Sequence, residues 1–104
     1  MDKIVFITGA SSGIGAGCAR KFASQGASLI LDARNVNKLS ALKEELEKQY
    51  GAKIYLLPFD VRDRKAATSA LESLPKEWQS IDILVNNAGS FSYTHLTLPT
   101  ILRV

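Results

Sequence analysis

The chain has 104 residues, of which 46% are apolar and 22% charged, with a net charge of +3. This is the composition of one modest folded domain, not of a disordered, fibrous or multi-domain chain. The basic residues are scattered without aromatic interleaving, which argues against a nucleic-acid surface. No apolar stretch approaches a membrane span, and Ile4–Ile7 is too short to be the core of a signal peptide. The single Cys18 excludes an internal disulfide and agrees with a reducing compartment, so the cytoplasm is the expected location.

Taken in order, the chain alternates strand and helix patterns. Lys3–Ile7 reads as a first strand. Ile14–Gln25 reads as a helix, with Ile14, Cys18, Ala19, Phe22 and Ala23 at helical spacing and Gly26 as its stop. Ser28–Ala33 is a second strand. Asn37 can cap a second helix, whose Leu39, Leu42, Leu46 and Tyr50 form one apolar stripe ending at Gly51. Lys53–Phe59 is a third strand. Asp63 caps a third helix with Ala66, Ala67, Ala70, Leu71 and Leu74 facing inward, and Pro75 stops it. Ile81–Val85 is a fourth strand. Short connections between alternating elements imply a doubly wound parallel sheet with helices on both faces.

Between the first strand and the first helix lies Thr8-Gly9-Ala10-Ser11-Ser12-Gly13-Ile14-Gly15. A helix start has unpaired N–H groups and partial positive charge, so a phosphate can rest there. Gly9 lets the chain turn off the strand, Gly13 lets the backbone approach a ligand, and Gly15 lets the helix lie close to the sheet. No Gly-Lys-Ser/Thr follows, which excludes a P-loop. A strand–helix turn without a ligand would also use glycines, so the other strand ends have to decide. Strand two ends Leu31-Asp32-Ala33-Arg34-Asn35, strand three Phe59-Asp60-Val61, and strand four Val85-Asn86-Asn87-Ala88-Gly89. Ligands of such sheets bind outside these ends.

The loop's T-G-x-x-x-G-x-G spacing, with Asp60-Val61 and Asn86-Asn87-Ala88-Gly89 following in order, resembles the cofactor half of the short-chain dehydrogenase/reductase family. The likeness covers residues 1 to about 90, read as a partial NAD(P)-binding Rossmann domain. It implies that Gly9, Ser11, Ser12, Gly13, Ile14 and Gly15 hold a pyrophosphate. Asp60 and the backbone of Val61 would take the adenine, and Asn87, Ala88 and Gly89 the ribose side of the cofactor. In the family the acid that selects NAD falls at position 33, here Ala33. The one-residue offset points Asp32 away from the ribose. Arg34, followed by Asn35, can grip a 2′-phosphate, which favours NADP over NAD. Ser73–Gly89, with Trp78, and Asp60–Arg64 further resemble the NADP-dependent 3-hydroxy acid dehydrogenases, which include serine 3-dehydrogenases.

The family's catalytic Ser and Tyr-x-x-x-Lys follow the N-N-A-G segment. Here Ile54, Phe59 and Thr97 stand four residues after Tyr50, Tyr55 and Tyr93, and the lone His95 belongs to no motif. No catalytic residue and no metal site are assigned. Phe91–Val104 departs from the family and resembles translated sequencing-adapter DNA, so the sheet is expected to stop at strand four, leaving it as an exposed edge. The expected function is that of a fragment of an NADP-dependent oxidoreductase, inactive alone, acting in a full-length, homo-oligomeric parent on an alcohol or carbonyl, with a 3-hydroxy acid as substrate. The alternative is a non-catalytic nucleotide-binding module.

Overall fold

Short runs of β-branched and large apolar residues set the strands, and their order sets the site. The computed structural model describes residues 1–60, 62–87 and 100–103. Within them β1 (Ile4–Thr8), β2 (Ser28–Asp32), β3 (Ile54–Leu57), β4 (Ile83–Asn86) and β5 (Thr100–Arg103) form one sheet in the order β3-β2-β1-β4-β5. Every pairing is parallel. Helices α1 (Gly13–Ser24), α2 (Val36–Tyr50) and α3 (Arg64–Glu72) make the crossovers. The strand order runs outward from β1 to β3 and then jumps to β4 on the other side of β1. That reversal opens a crevice at the carboxyl ends of the strands.

Strand alternation divides the core in two. Val5 and Ile7 of β1 pack with Leu29, Leu31 and Val85 against Ala19, Ala23, Leu39, Leu42 and Leu46 of α1 and α2. Phe6, between them in sequence, joins Ile30, Leu84, Ala67 and Leu74 on the opposite face. The Val, Leu, Ile and Phe side chains among these each contribute about 1.5–3 kcal/mol on full burial. Asp82 fixes β4 against β1: its Oδ2 accepts from the Ile4 N–H at 2.9 Å, and its own N–H donates to Ile4 O at 2.9 Å.

Four features differ from the sequence pattern. The sheet has a fifth strand, so β4 is not its edge. Thr100–Arg103 pairs with Ile83–Asn86, and Ile101 and Leu102 are exposed on the new edge. Ile14 is 61% exposed, because it sits in the opening turn of α1, beyond the sheet's cover. Tyr50, the last residue of α2, leaves the buried stripe for the same reason at the other end. The cap of α2 is Asn35, not Asn37: its side chain accepts from the Lys38 N–H at 3.1 Å, which starts the helix at Val36. Asp63 caps α3 as expected, accepting from Ala66 N–H. Cys18 is half-buried against the α1–α2 core. Among the described residues no helix is long and apolar enough to cross a membrane.

Candidate dinucleotide site

The glycine loop leaves β1 at Gly9, whose φ of 63° lies in the left-handed region that a side chain disfavours. The turn is closed by Ser12, the cap of α1. Its hydroxyl donates to Gly9 O at 2.9 Å and accepts from the Gly15 N–H at 3.1 Å. Asn87, just beyond β4, supplies the long-range tie. Its Nδ2 donates to Gly9 O at 3.0 Å and to Ser12 Oγ at 2.9 Å. From the other side, the Ala10 N–H donates to Asp32 O at 2.8 Å. The loop is therefore set by β2 and β4 before any ligand arrives. Asn87→Ala removes both side-chain ties and should cost about 1–2 kcal/mol, read as a lower urea midpoint with an unchanged m-value.

Gly15 and Gly13 have different physical reasons. A Cβ on Gly15 would lie 2.2 Å from Gly9 O, so close helix–loop packing demands glycine there. A Cβ on Gly13 would meet nothing within 4 Å, so the protein itself leaves the space beside it open. An open backbone at a helix N-terminus is the shape a pyrophosphate requires.

The strand ends complete a cleft of about 710 Å³ lined by Gly9, Ser11, Ser12, Asp32, Ala33, Arg34, Asn35, Lys38, Phe59, Asp60 and Arg62. Sequence reasoning thus brings Gly9, Ser11, Ser12, Arg34, Asn35 and Asp60 together. Gly13, Ile14, Gly15 and Asn87 belong to the loop and its tether, while Val61, Ala88 and Gly89 lie outside the described residues. Ala33 is buried, and the Arg34 side chain is 70% exposed. Asp60 carries an arrangement that the sequence does not announce. Arg62 Nε and Nη2 donate to its two oxygens at 3.0 and 2.7 Å, and the Arg62 N–H donates to Oδ1 at 2.9 Å. Arg34 Nη1 stands 4.0 Å from Oδ2. The hydrogen bonds from Arg62 hold the Asp60 carboxyl down at about 2 and push the Arg62 guanidinium up.

Lys38 and Arg62 are the residues missed by sequence reasoning. Lys38 had a signal: it sits in the first turn of α2, where the helix dipole favours acids. None of α1, α2 and α3 carries an acid in its first turn. α1 and α2 both start on the cleft, at Ser12 and Asn35, so their partial positive charges add to Arg34, Lys38 and Arg62 around it. Asp32, read as turned away from the ribose, is 1% exposed and borders the cleft. Among the described residues, no group of three or more His, Cys, Asp and Glu could hold a metal ion.

The short chain dehydrogenase family model matches residues 3–100. The chain belongs to that family. It is 46% identical over 86 residues to the NADP-dependent 3-hydroxy acid dehydrogenase YdfG of Escherichia coli K12, covering 83% of this chain and 33% of that enzyme. The same identity, again over 83% of this chain, relates it to the "Probable NADP-dependent dehydrogenase in aabA 3'region" of Dichelobacter nodosus, 77% of which is covered. Among solved structures, L-sorbose reductase from Gluconobacter frateurii, complexed with NADPH and L-sorbose, superposes with a TM-score of 0.78 at 37% identity, over 88% of this chain and 35% of that one. The chain thus spans about a third of the length of the Escherichia coli and Gluconobacter frateurii proteins.

Proposed function

We propose that this short-chain dehydrogenase chain is the NADP-binding part of an oxidoreductase acting on an alcohol or carbonyl, with 3-hydroxy acids as the substrate class. The observation that carries the cofactor reading is the end of β2: a buried Ala33 where an NAD-selecting acid would stand, followed by the exposed guanidinium of Arg34 on the cleft. The substrate class rests on the likeness to the Escherichia coli enzyme. The open backbone beside Gly13 and the cationic rim fit a phosphorylated dinucleotide.

Gly9, Ser11, Ser12, Gly13, Ile14 and Gly15 would hold the pyrophosphate, with N–H groups at the start of α1 as donors. Arg34 would take the 2′-phosphate, with Lys38 beside it. Asn35 holds the backbone there by capping α2. Asp60 and Val61 would meet the adenine, with Asp60 sharing its carboxylate between the base and Arg62. Asn87 keeps the loop in shape, and Ala88 and Gly89 would border the ribose. When bound, the cofactor supplies a hydride donor or acceptor at its nicotinamide. The Tyr-x-x-x-Lys of the family pattern does not occur in these 104 residues. The chain's own part is to bind and orient.

NADPH and NADH affinities, measured by fluorescence or calorimetry for wild type and Arg34→Ala, test the reading. The variant should lose about tenfold to a hundredfold in NADPH affinity, as expected for a charge-assisted contact to phosphate, with NADH little changed. An unchanged NADPH affinity would remove Arg34 from the site.

A further inference from the structure

Asp32 ends β2, is 1% exposed, and its Oδ1 has no hydrogen-bond partner among the described residues. An acid is rarely buried without a partner, because the charged form loses its hydration. This one lies in the floor of the cleft beside the backbone of Gly9 and Phe59, which line the same space. The charged groups around it are Arg34 at the end of β2, Lys38 on α2, and Asp60 and Arg62 after β3. Arg62 is bound to Asp60 through both carboxylate oxygens, and Arg34 is drawn to the same acid. Asp60 therefore has cationic partners, whereas Asp32 has the backbone N–H groups of Gly9 and Phe59 but no bound cation among the described residues. An ionised Asp32 would be a negative charge with no cation bound to it, beneath a site built for an anion. A protonated Asp32 removes that repulsion and offers an O–H donor.

We propose that Asp32 takes up a proton when the cleft binds the 2′-phosphate of an adenine dinucleotide, making this floor residue the determinant that ties cofactor affinity to pH. The inference rests on the NADP reading above. Burial already pushes the free carboxyl up to about 7, and the charge of Asp60 pushes it further in the same direction. The backbone N–H groups of Gly9 and Phe59 oppose the rise. Near neutrality the group is thus poised, and an arriving anion raises its proton affinity again.

Calorimetry of the full chain with adenosine 2′,5′-bisphosphate, from pH 6.5 to 8.5 in two buffers of different ionisation heat, decides it. Wild type should take up close to one proton per binding event at about pH 8, and its affinity should fall about tenfold from pH 7.5 to 8.5. The ligand's own phosphate ionises near pH 6 and gives the opposite slope. Asp32→Asn and Asp32→Thr should bind without proton uptake and without the fall. Wild-type binding with no proton uptake, or uptake that persists in a folded Asp32 variant, overturns the linkage and leaves the NADP reading standing. No binding by wild type or either variant at any pH overturns both.

Discussion

Gly15→Ala should destabilise the chain by about 3 kcal/mol or more and abolish dinucleotide binding. In an ordinary helix the same change stabilises, since alanine has a propensity advantage over glycine of about 1 kcal/mol. Here the added Cβ would sit 2.2 Å from Gly9 O, 2.9 Å from Gly9 C and 2.8 Å from Asn87 Nδ2. Two of those atoms are backbone, so no side-chain rotation relieves the clash. Either α1 moves off the loop or the loop opens, and both separate Ser12 from the partners that hold it. Overpacking of this kind costs about 1–3 kcal/mol or more, a large part of a small domain's total stability. Gly17→Ala is the internal control. It lies on the same helix, and its Cβ would meet nothing within 4 Å, so it should gain about 0.5–1 kcal/mol. Urea unfolding of the two variants should move in opposite directions. Equal midpoints would mean that helix–loop packing does not set the identity of residue 15.

The sheet was legible because its strands are buried on both faces. Ile4-Val5-Phe6-Ile7 and Ile83-Leu84-Val85 read as continuous apolar runs, and a continuous run flanked by turn residues is the pattern of a parallel interior strand. The site was legible at the same places for a related reason. Gly9, Arg34, Asp60 and Asn87 stand at or just beyond the carboxyl ends of strands, where parallel topology collects residues far apart in sequence. What stayed hidden depended on rotation and partnership. The spacing of Ile14 matches the buried face of α1, but periodicity does not say that the helix's first turn rises beyond the sheet. Asn35 and Asn37 are equally good caps as residue types, and only the backbone path out of β2 chooses between them. β5 is four residues whose strand character comes from its pairing with β4, a tertiary contact that local propensity does not contain. The bidentate grip of Arg62 on Asp60 likewise turns a base-binding candidate into half of an ion pair.

Lys38 shows that one hidden residue left a trace. A lysine in the first turn of α2 opposes the helix dipole, and neither α1 nor α2 carries an acid in its opening turn to balance it. A local rule broken at one sheet edge is what a site for an anion looks like before the anion is considered. Asp32 breaks a rule in the opposite direction, as a carboxyl sunk in the same region, and its cost can be measured in the chain without any ligand.

Asp32→Asn should raise stability above pH 7 by up to about 4 kcal/mol and have little effect near pH 4. An aspartate in the unfolded chain ionises near pH 3.9. In the folded chain, burial keeps the Asp32 proton on until about 7. Between these values the folded state binds more protons than the unfolded state, so stability falls as pH rises. The contribution is fully present below about pH 4 and is lost as pH climbs through 7. Three pH units at about 1.4 kcal/mol each give the ceiling of about 4. Asp60 has the opposite sign: the hydrogen bonds from Arg62 lower it, so its stabilisation is present above pH 4 and lost as pH falls towards 2. Taking the difference between wild type and Asp32→Asn at each pH cancels Asp60 and every other unaltered acid. Urea unfolding at pH 4.5, 6, 7 and 8 should show that difference growing steadily and levelling off above 7. A flat difference across the series would mean that Asp32 ionises near its ordinary value, with water or a polar partner supplying what the buried Oδ1 lacks. In that event the floor of the cleft is a solvated anion beneath Arg34, and the proton linkage proposed for cofactor binding fails with it.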